Sequence, residues 1–169
     1  HTTLAYETLL RWHCPGLGPV SPVEFIPLAE EIGQIETIGE WVLRAGCQEA
    51  VRWRAPAGGI LPKVAINASL RQLFQPGFAA LVADALTDTG LPPHRLVIEV
   101  TESVFNETGI DAVLATLSAL RRLGVDIHID DFGTGYSSLS RLHEFPLTAV
   151  KVDKCFVHSG DARSLAVIE

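Results

Sequence analysis

Five short apolar runs in this 169-residue chain each carry a polar residue at or near their C-terminal end, and that pattern restricts the fold more than any other feature. The runs are 3–7, 63–67, 96–100, 125–130 and 148–152, and the residues are Glu7, Asn67, Glu99, Asp130 and Lys151. The steps from Asn67 to Glu99 and from Glu99 to Asp130 are each close to the ~30 residues of one β-α repeat. The longer step from Glu7 to Asn67 contains two helical patterns. Strand-like runs alternating with longer helical stretches predict a parallel sheet built from β-α units. Parallel strands with polar side chains at their C-terminal ends gather them around one mouth, where the active sites of α/β barrels lie.

The segments between the runs have recognisable helix signals. Ser21 with Glu24 three residues later reads as a capping box, with Pro22 at the first helical position. Ile35, Ile38, Val42, Ala45 and Trp53 predict one face of a long helix. Pro76 opens another, with Phe78, Leu81, Val82, Ala85 and Leu86 on its buried side and Gly90 at its end. A further helix runs through Ile110, Val113, Leu114, Leu117 and Leu120 and stops at Gly124, with Arg121 and Arg122 in the last turn, where the helix dipole favours positive charge. No internal repeat, low-complexity tract or linker divides the chain, so 1–169 reads as a single domain portion.

Composition narrows the function. With 47% apolar and 20% charged residues the chain can bury a real core without disulfide or zinc staples. Its net charge of −7, from 13 basic and 20 acidic residues, argues against electrostatic capture of a DNA or RNA polymer or an anionic membrane. An anionic ligand would therefore need bound cations. Cys14, Cys47 and Cys155 are far apart and form no C-x-x-C pair, which fits a reducing cytoplasm rather than a disulfide framework. No apolar run approaches the ~18 residues of a membrane span, and no signal-peptide pattern opens the chain. The chain starts at His1 and contains no methionine, so the expectation is a portion of a longer protein, cytoplasmic or the cytoplasmic part of a membrane-anchored one.

Three carboxylates (Glu7, Glu99, Asp130), the neighbouring Asp131 and the Asn67 amide would meet at the mouth. Like charges that close raise one another's pKa and destabilise the fold unless a cation neutralises them. All the donors are oxygens, which favours Mg²⁺ or Mn²⁺ over structural zinc. Asp130 and Asp131 would face opposite sides of a regular strand, but where the backbone turns they could serve two metals about 4 Å apart, the arrangement that clamps both oxygens of a phosphoryl transfer. Any one of these residues alone is more often a cap, a turn former or a solvated charge; their placement at equivalent strand ends is what argues for a site. The segment after Asp131 is glycine-spaced, and its two glycines permit open and closed loop states.

The motifs Glu7-Thr8-Leu9-Leu10-Arg11-Trp12, Ser21-Pro22-Val23-Glu24-Phe25-Ile26-Pro27-Leu28-Ala29-Glu30, Asn67-Ala68-Ser69, Glu99-Val100-Thr101-Glu102-Ser103, the run from Asp130 to Leu139, and Lys151-Val152-Asp153 together resemble the EAL domain, in order along essentially the whole chain. That resemblance implies a (β/α)8 barrel of the TIM-like type whose first strand is antiparallel. The implied activity is a metal-dependent phosphodiesterase that opens bacterial cyclic di-GMP to linear pGpG. Some members only bind the nucleotide, so a catalytically weak or inactive cyclic di-GMP receptor is the alternative.

The resemblance implies roles for individual residues. Glu7, Asn67, Glu99 and Asp130 would ligate Mg²⁺ or Mn²⁺, one or two ions, with Asp131 associated with the second. Lys151 would hold the attacking water, Asp153 would stand beside it, Glu102 would brace the glycine loop, and Arg11 would contact a substrate phosphate. Two departures stand out. The signature alanine is Thr8 here, which strand alternation turns away from Glu7. His128 shares a strand face with Asp130 at a position that the family usually fills with something small, as a hydrogen-bonded interior histidine or as an extra ligand or proton relay. His13 and Cys14 read as structural residues of a Pro-Gly turn. About 250 residues are typical of the barrel, so this chain is expected to represent about two thirds of it. The first strand and the last two β-α units, with the A-E-G-V-E motif and its general-base glutamate, are expected outside it. The isolated chain should then show little or no turnover. A homodimer and attachment to sensory or GGDEF-type domains are further expectations.

Overall fold

The computed structural model describes residues 3–55, 59–106, 108–133 and 139–152. Its centre is a five-stranded parallel sheet of β1 (Ala5–Glu7), β4 (Lys63–Asn67), β5 (Leu96–Thr101), β6 (Asp126–Phe132) and β7 (Ala149–Val152), in that spatial order. The five runs seen in the sequence are these strands to within two residues at either end. A short antiparallel hairpin, β2 (Trp12–Cys14) with β3 (Gly18–Val20), follows β1. His13 and Cys14 therefore lie in a strand leading into the turn rather than in the turn.

Period-two alternation divides the sheet into two faces. Val64, Ile66, Leu96, Ile98, Val100, Ile127 and Ile129 are buried in the hydrophobic core beneath the helices. The opposite face carries Lys63, Asn67, Glu99, Asp126, His128, Asp130 and Lys151, alternate residues along their strands. Register sets their heights: Glu7 lies across from Ala65, Asn67 from Glu99, Glu99 from His128, which continues to Ala149, and Thr101 from Asp130.

The helices are α1 (Pro22–Glu31), α2 (Ile35–Arg52), α3 (Leu70–Phe74), α4 (Phe78–Thr89), α5 (Ile110–Leu123) and α6 (Leu139–Leu142). Gly90 and Gly124 end α4 and α5 in the left-handed region, as their positions predict. The capping box expected at Ser21 is not formed: the Ser21 side chain makes no cap bond, and its backbone carbonyl accepts from Glu24 and Phe25 instead. A complete box stands at Ser69, whose hydroxyl accepts from the Gln72 amide at 3.3 Å while Gln72 Oε1 accepts from the Ser69 N–H at 3.0 Å. The buried face of α2 is Ile35, Leu43, Gly46, Cys47 and Ala50. Ile38 and Val42, on the predicted helix face, line a cleft, and Val42 also packs against the edge of the core. Gly39 lies so close to Gln72 that a Cβ there would meet its Nε2 at 2.0 Å.

Candidate active site

The C-terminal strand ends bring Glu7, Glu99 and Asp130 together: each offers a carboxylate oxygen, and those atoms all lie within 4.8 Å of one another. Asn67 joins them by donating from Nδ2 to Glu7 Oε1 at 2.9 Å. Lys151, from the last strand described, places its Nζ 3.1 Å from Glu99 Oε1, 3.1 Å from Asp130 Oδ2 and 3.7 Å from Glu7 Oε2. Residues far apart in sequence thus occupy one shell because parallel register brings each strand end to the same rim.

The group is not evenly compensated. Glu99 is 3% exposed, and its buried Oε2 has no hydrogen-bond partner among the described residues. Burial pushes its carboxyl above the usual carboxylate range; the Lys151 ammonium opposes this, and the charges of Glu7 and Asp130 add to it. Burial works against the charge on Lys151, but hydrogen bonds to Glu99 and Asp130 hold its ammonium above the ordinary lysine value. An acidic, all-oxygen donor set with a buried oxygen left unpaired is the chemistry that fits a hard divalent cation.

Asp131 is the one non-glycine residue with positive φ (55°) among the described residues, and its N–H donates to Asp130 Oδ1 at 3.0 Å. The β6–β7 register shifts between Ile129 and Phe132, so the backbone does turn at the acidic pair. Glu102 is buried, and its Oε2 accepts from the Gly133 N–H at 2.7 Å, tying the end of β5 to the start of the glycine loop. Loop residues 134–138 and Asp153 lie outside the described residues.

Arg11 is exposed and donates to the Leu10 carbonyl at 2.7 Å. It lines a cleft of about 840 Å³ that runs from Asn67 along α1, α2 and α3. Thr8 turns away from Glu7 as expected: its hydroxyl donates to the Ala65 carbonyl at 3.0 Å, and its methyl lies beside Gly46 of α2. His128 is held below the ordinary histidine pKa by burial, against the pull of Asp126 and with help from Lys63 and Lys151. Sequence reasoning assigned nothing to the hydroxyls of Thr101 and Ser103, which hydrogen-bond each other at 2.7 Å on the wall of the same cleft. Their spacing on either side of Glu102 was the available signal.

A parallel β-α sheet with an acidic cluster at its C-terminal strand ends defines the class, a TIM-like α/β-barrel protein with a candidate cation site at the mouth. Within that class the chain belongs to the EAL domain family, whose model matches residues 1–168. It is 45% identical over 154 residues to an uncharacterised signalling protein of Caulobacter vibrioides, covering 91% of this chain and 18% of that protein. It is 41% identical over 165 residues to the oxygen sensor protein DosP of Escherichia coli, covering 96% of this chain and 20% of that protein. The chain thus spans about a fifth of the length of these curated relatives. Among solved structures, the PaMucR phosphodiesterase in complex with c-di-GMP superposes with a TM-score of 0.83 at 40% identity, covering 98% of this chain and 67% of that one.

Proposed function

We propose that this chain forms the cation- and nucleotide-binding mouth of a divalent-metal-dependent phosphodiesterase that opens cyclic di-GMP to linear pGpG. The observation that carries the reading is the trio Glu7, Glu99 and Asp130 converging within 4.8 Å on a family-typical frame, with a buried Glu99 oxygen that has no hydrogen-bond partner among the described residues. Similarity to a phosphodiesterase solved with c-di-GMP supports the ligand.

In this reading Glu7, Asn67, Glu99 and Asp130 hold Mg²⁺ or Mn²⁺, and Asp131 contributes to a second ion. When bound, the metal supplies charge neutralisation and polarisation of a phosphoryl oxygen. Lys151, already hydrogen-bonded to two of the carboxylates, orients the water that attacks phosphorus. The Arg11 fork, exposed on the connection between β1 and β2, takes a phosphate oxygen pair. Glu102 holds the glycine loop through Gly133, and Asp153 follows Lys151 in its motif. The proton of the attacking water needs a general base, and losing such a group costs about 10²–10⁴-fold. The A-E-G-V-E motif that would bring one is not among these 169 residues. Turnover is therefore proposed for a polypeptide that includes it, with the 169 residues alone giving little or none. A cytoplasmic location, a homodimer and attachment to sensory or GGDEF-type domains belong to the same proposal, and the greater length of the relatives supports the last.

The test is incubation of the motif-complete protein with cyclic di-GMP and Mg²⁺ or Mn²⁺. Metal-dependent formation of pGpG is the expected result. Saturable nucleotide binding without pGpG would make the protein a receptor, and the absence of both would end the reading.

A further inference from the structure

We infer that His128 is a positioning residue for Glu99: its Nδ1–H donates to the Glu99 carboxylate and holds that carboxylate in the orientation that serves the cation at the mouth. The inference rests on the metal-binding reading above. Register pairs the two residues directly across β5 and β6, on the same face of the sheet. His128 Nδ1 stands 3.9 Å from Glu99 Oε1, and the ring makes no hydrogen bond among the described residues. The remaining gap is under about 1 Å beyond an ordinary N–H···O contact.

The alternatives are weaker on geometry. His128 stands outside the trio whose ligand atoms all lie within 4.8 Å of one another, which favours a supporting role over direct ligation. Its other acidic neighbour, Asp126, is already engaged by Lys63 and by Arg121 Nη1 at 3.0 Å. Glu99, by contrast, is 3% exposed and is held at Oε1 by Lys151 alone, with no hydrogen-bond partner for Oε2 among the described residues, so its carboxylate has capacity for a second donor. Carboxylate ligands are oriented by the groups that hydrogen-bond to them, and removing such a group typically lowers metal affinity about 10–100-fold.

Calorimetric titration of Mn²⁺ into metal-stripped protein tests this. Glu99→Gln sets the reference loss. His128→Leu, which fills the space without a donor, should bind Mn²⁺ at least about tenfold more weakly. His128→Asn, whose amide N–H can stand where Nδ1–H stands, should bind within about threefold of the unsubstituted protein. A Leu variant that binds as tightly as the parent while Glu99→Gln binds weakly overturns the inference and leaves the metal reading intact, and so does an Asn variant as weak as Leu. If the unsubstituted protein shows no saturable binding, the metal reading fails and this inference fails with it. A second measurement needs no variant: ¹⁵N-histidine spectra should show His128 protonated at Nδ1, with that resonance shifting on Mg²⁺ addition. An Nε2-protonated ring with Nδ1 bare would overturn the role even if the substitutions fail to fold.

Discussion

The two ends of the sheet treat charge in opposite ways. At the N-terminal end the single carboxylate of Asp126 receives both Lys63 and Arg121, while the buried Arg95 donates to the carbonyls of Pro62 and Ala50. At the C-terminal end, among the described residues, three carboxylates share the one ammonium of Lys151, and a buried oxygen of Glu99 has no hydrogen-bond partner. One end is compensated by its own side chains. The other has excess negative charge held in place by neighbouring strands, which is the condition for recruiting a cation from solution.

The largest expected effect separates the ends by ligand. Glu99→Gln should lower Mn²⁺ affinity at least about tenfold, since even a group that only braces a ligand is worth that much, and should leave metal-free stability undiminished. Asp126→Asn should do the reverse, costing about 1–2 kcal/mol in denaturant unfolding, because its partners are partly exposed, with Mn²⁺ affinity unchanged. Two variants with the same pattern of losses would erase the distinction between the ends. A smaller, local effect is expected at Glu102: Glu102→Ala removes a charge-assisted acceptor, so the Gly133 amide should exchange faster, by an amount corresponding to about 1 kcal/mol. Unchanged exchange there would mean that the loop start is held by something else.

The smallest effect sharpens the comparison through pH. Glu99 sits above its ordinary value of 4.5, chiefly through burial, so the unfolded chain releases this proton first. Its contribution to metal-free stability therefore declines as pH rises from that ordinary value through the folded one, and is level above it. Thermal scans of the unsubstituted protein against Glu99→Gln should show the variant gaining relative stability across that window. A pH-independent difference would contradict the burial argument, and saturating Mn²⁺ should reverse the order of the two proteins.

Much of this was legible in the sequence, for identifiable reasons. The strands were found because each apolar run is bounded and ends on a polar residue, and the helix ends at Gly90 and Gly124 because left-handed caps need glycine. The β2–β3 hairpin was not: three-residue strands that include Gly18 and Pro19 carry no alternation to read. On α2 the periodicity identified a helix face but not what covers each part of it: Ile38 and Val42 wall the cleft, while Val42 also packs against the core. The left-handed backbone at Asp131 was not legible residue by residue: aspartate adopts it more readily than most side chains, but Asp130 beside it offered the same signal. The hydrogen bonds of Lys151 to Glu99 and Asp130 depend on cross-strand distances that no local pattern encodes.

The register that sets Asn67 opposite Glu99 and Thr101 opposite Asp130 also limits how such a chain can diverge. Substitutions at the helix surfaces leave the rim alone, but inserting or deleting one residue within β4, β5 or β6 would exchange the two faces of the strand beyond it. Asn67, Glu99 or Asp130 would then point into the helical layer, and an aliphatic residue would reach the mouth. Length changes are therefore tolerable only in the connections between strands and helices, and descendants of this sequence should vary in loop length while keeping every strand to the same count.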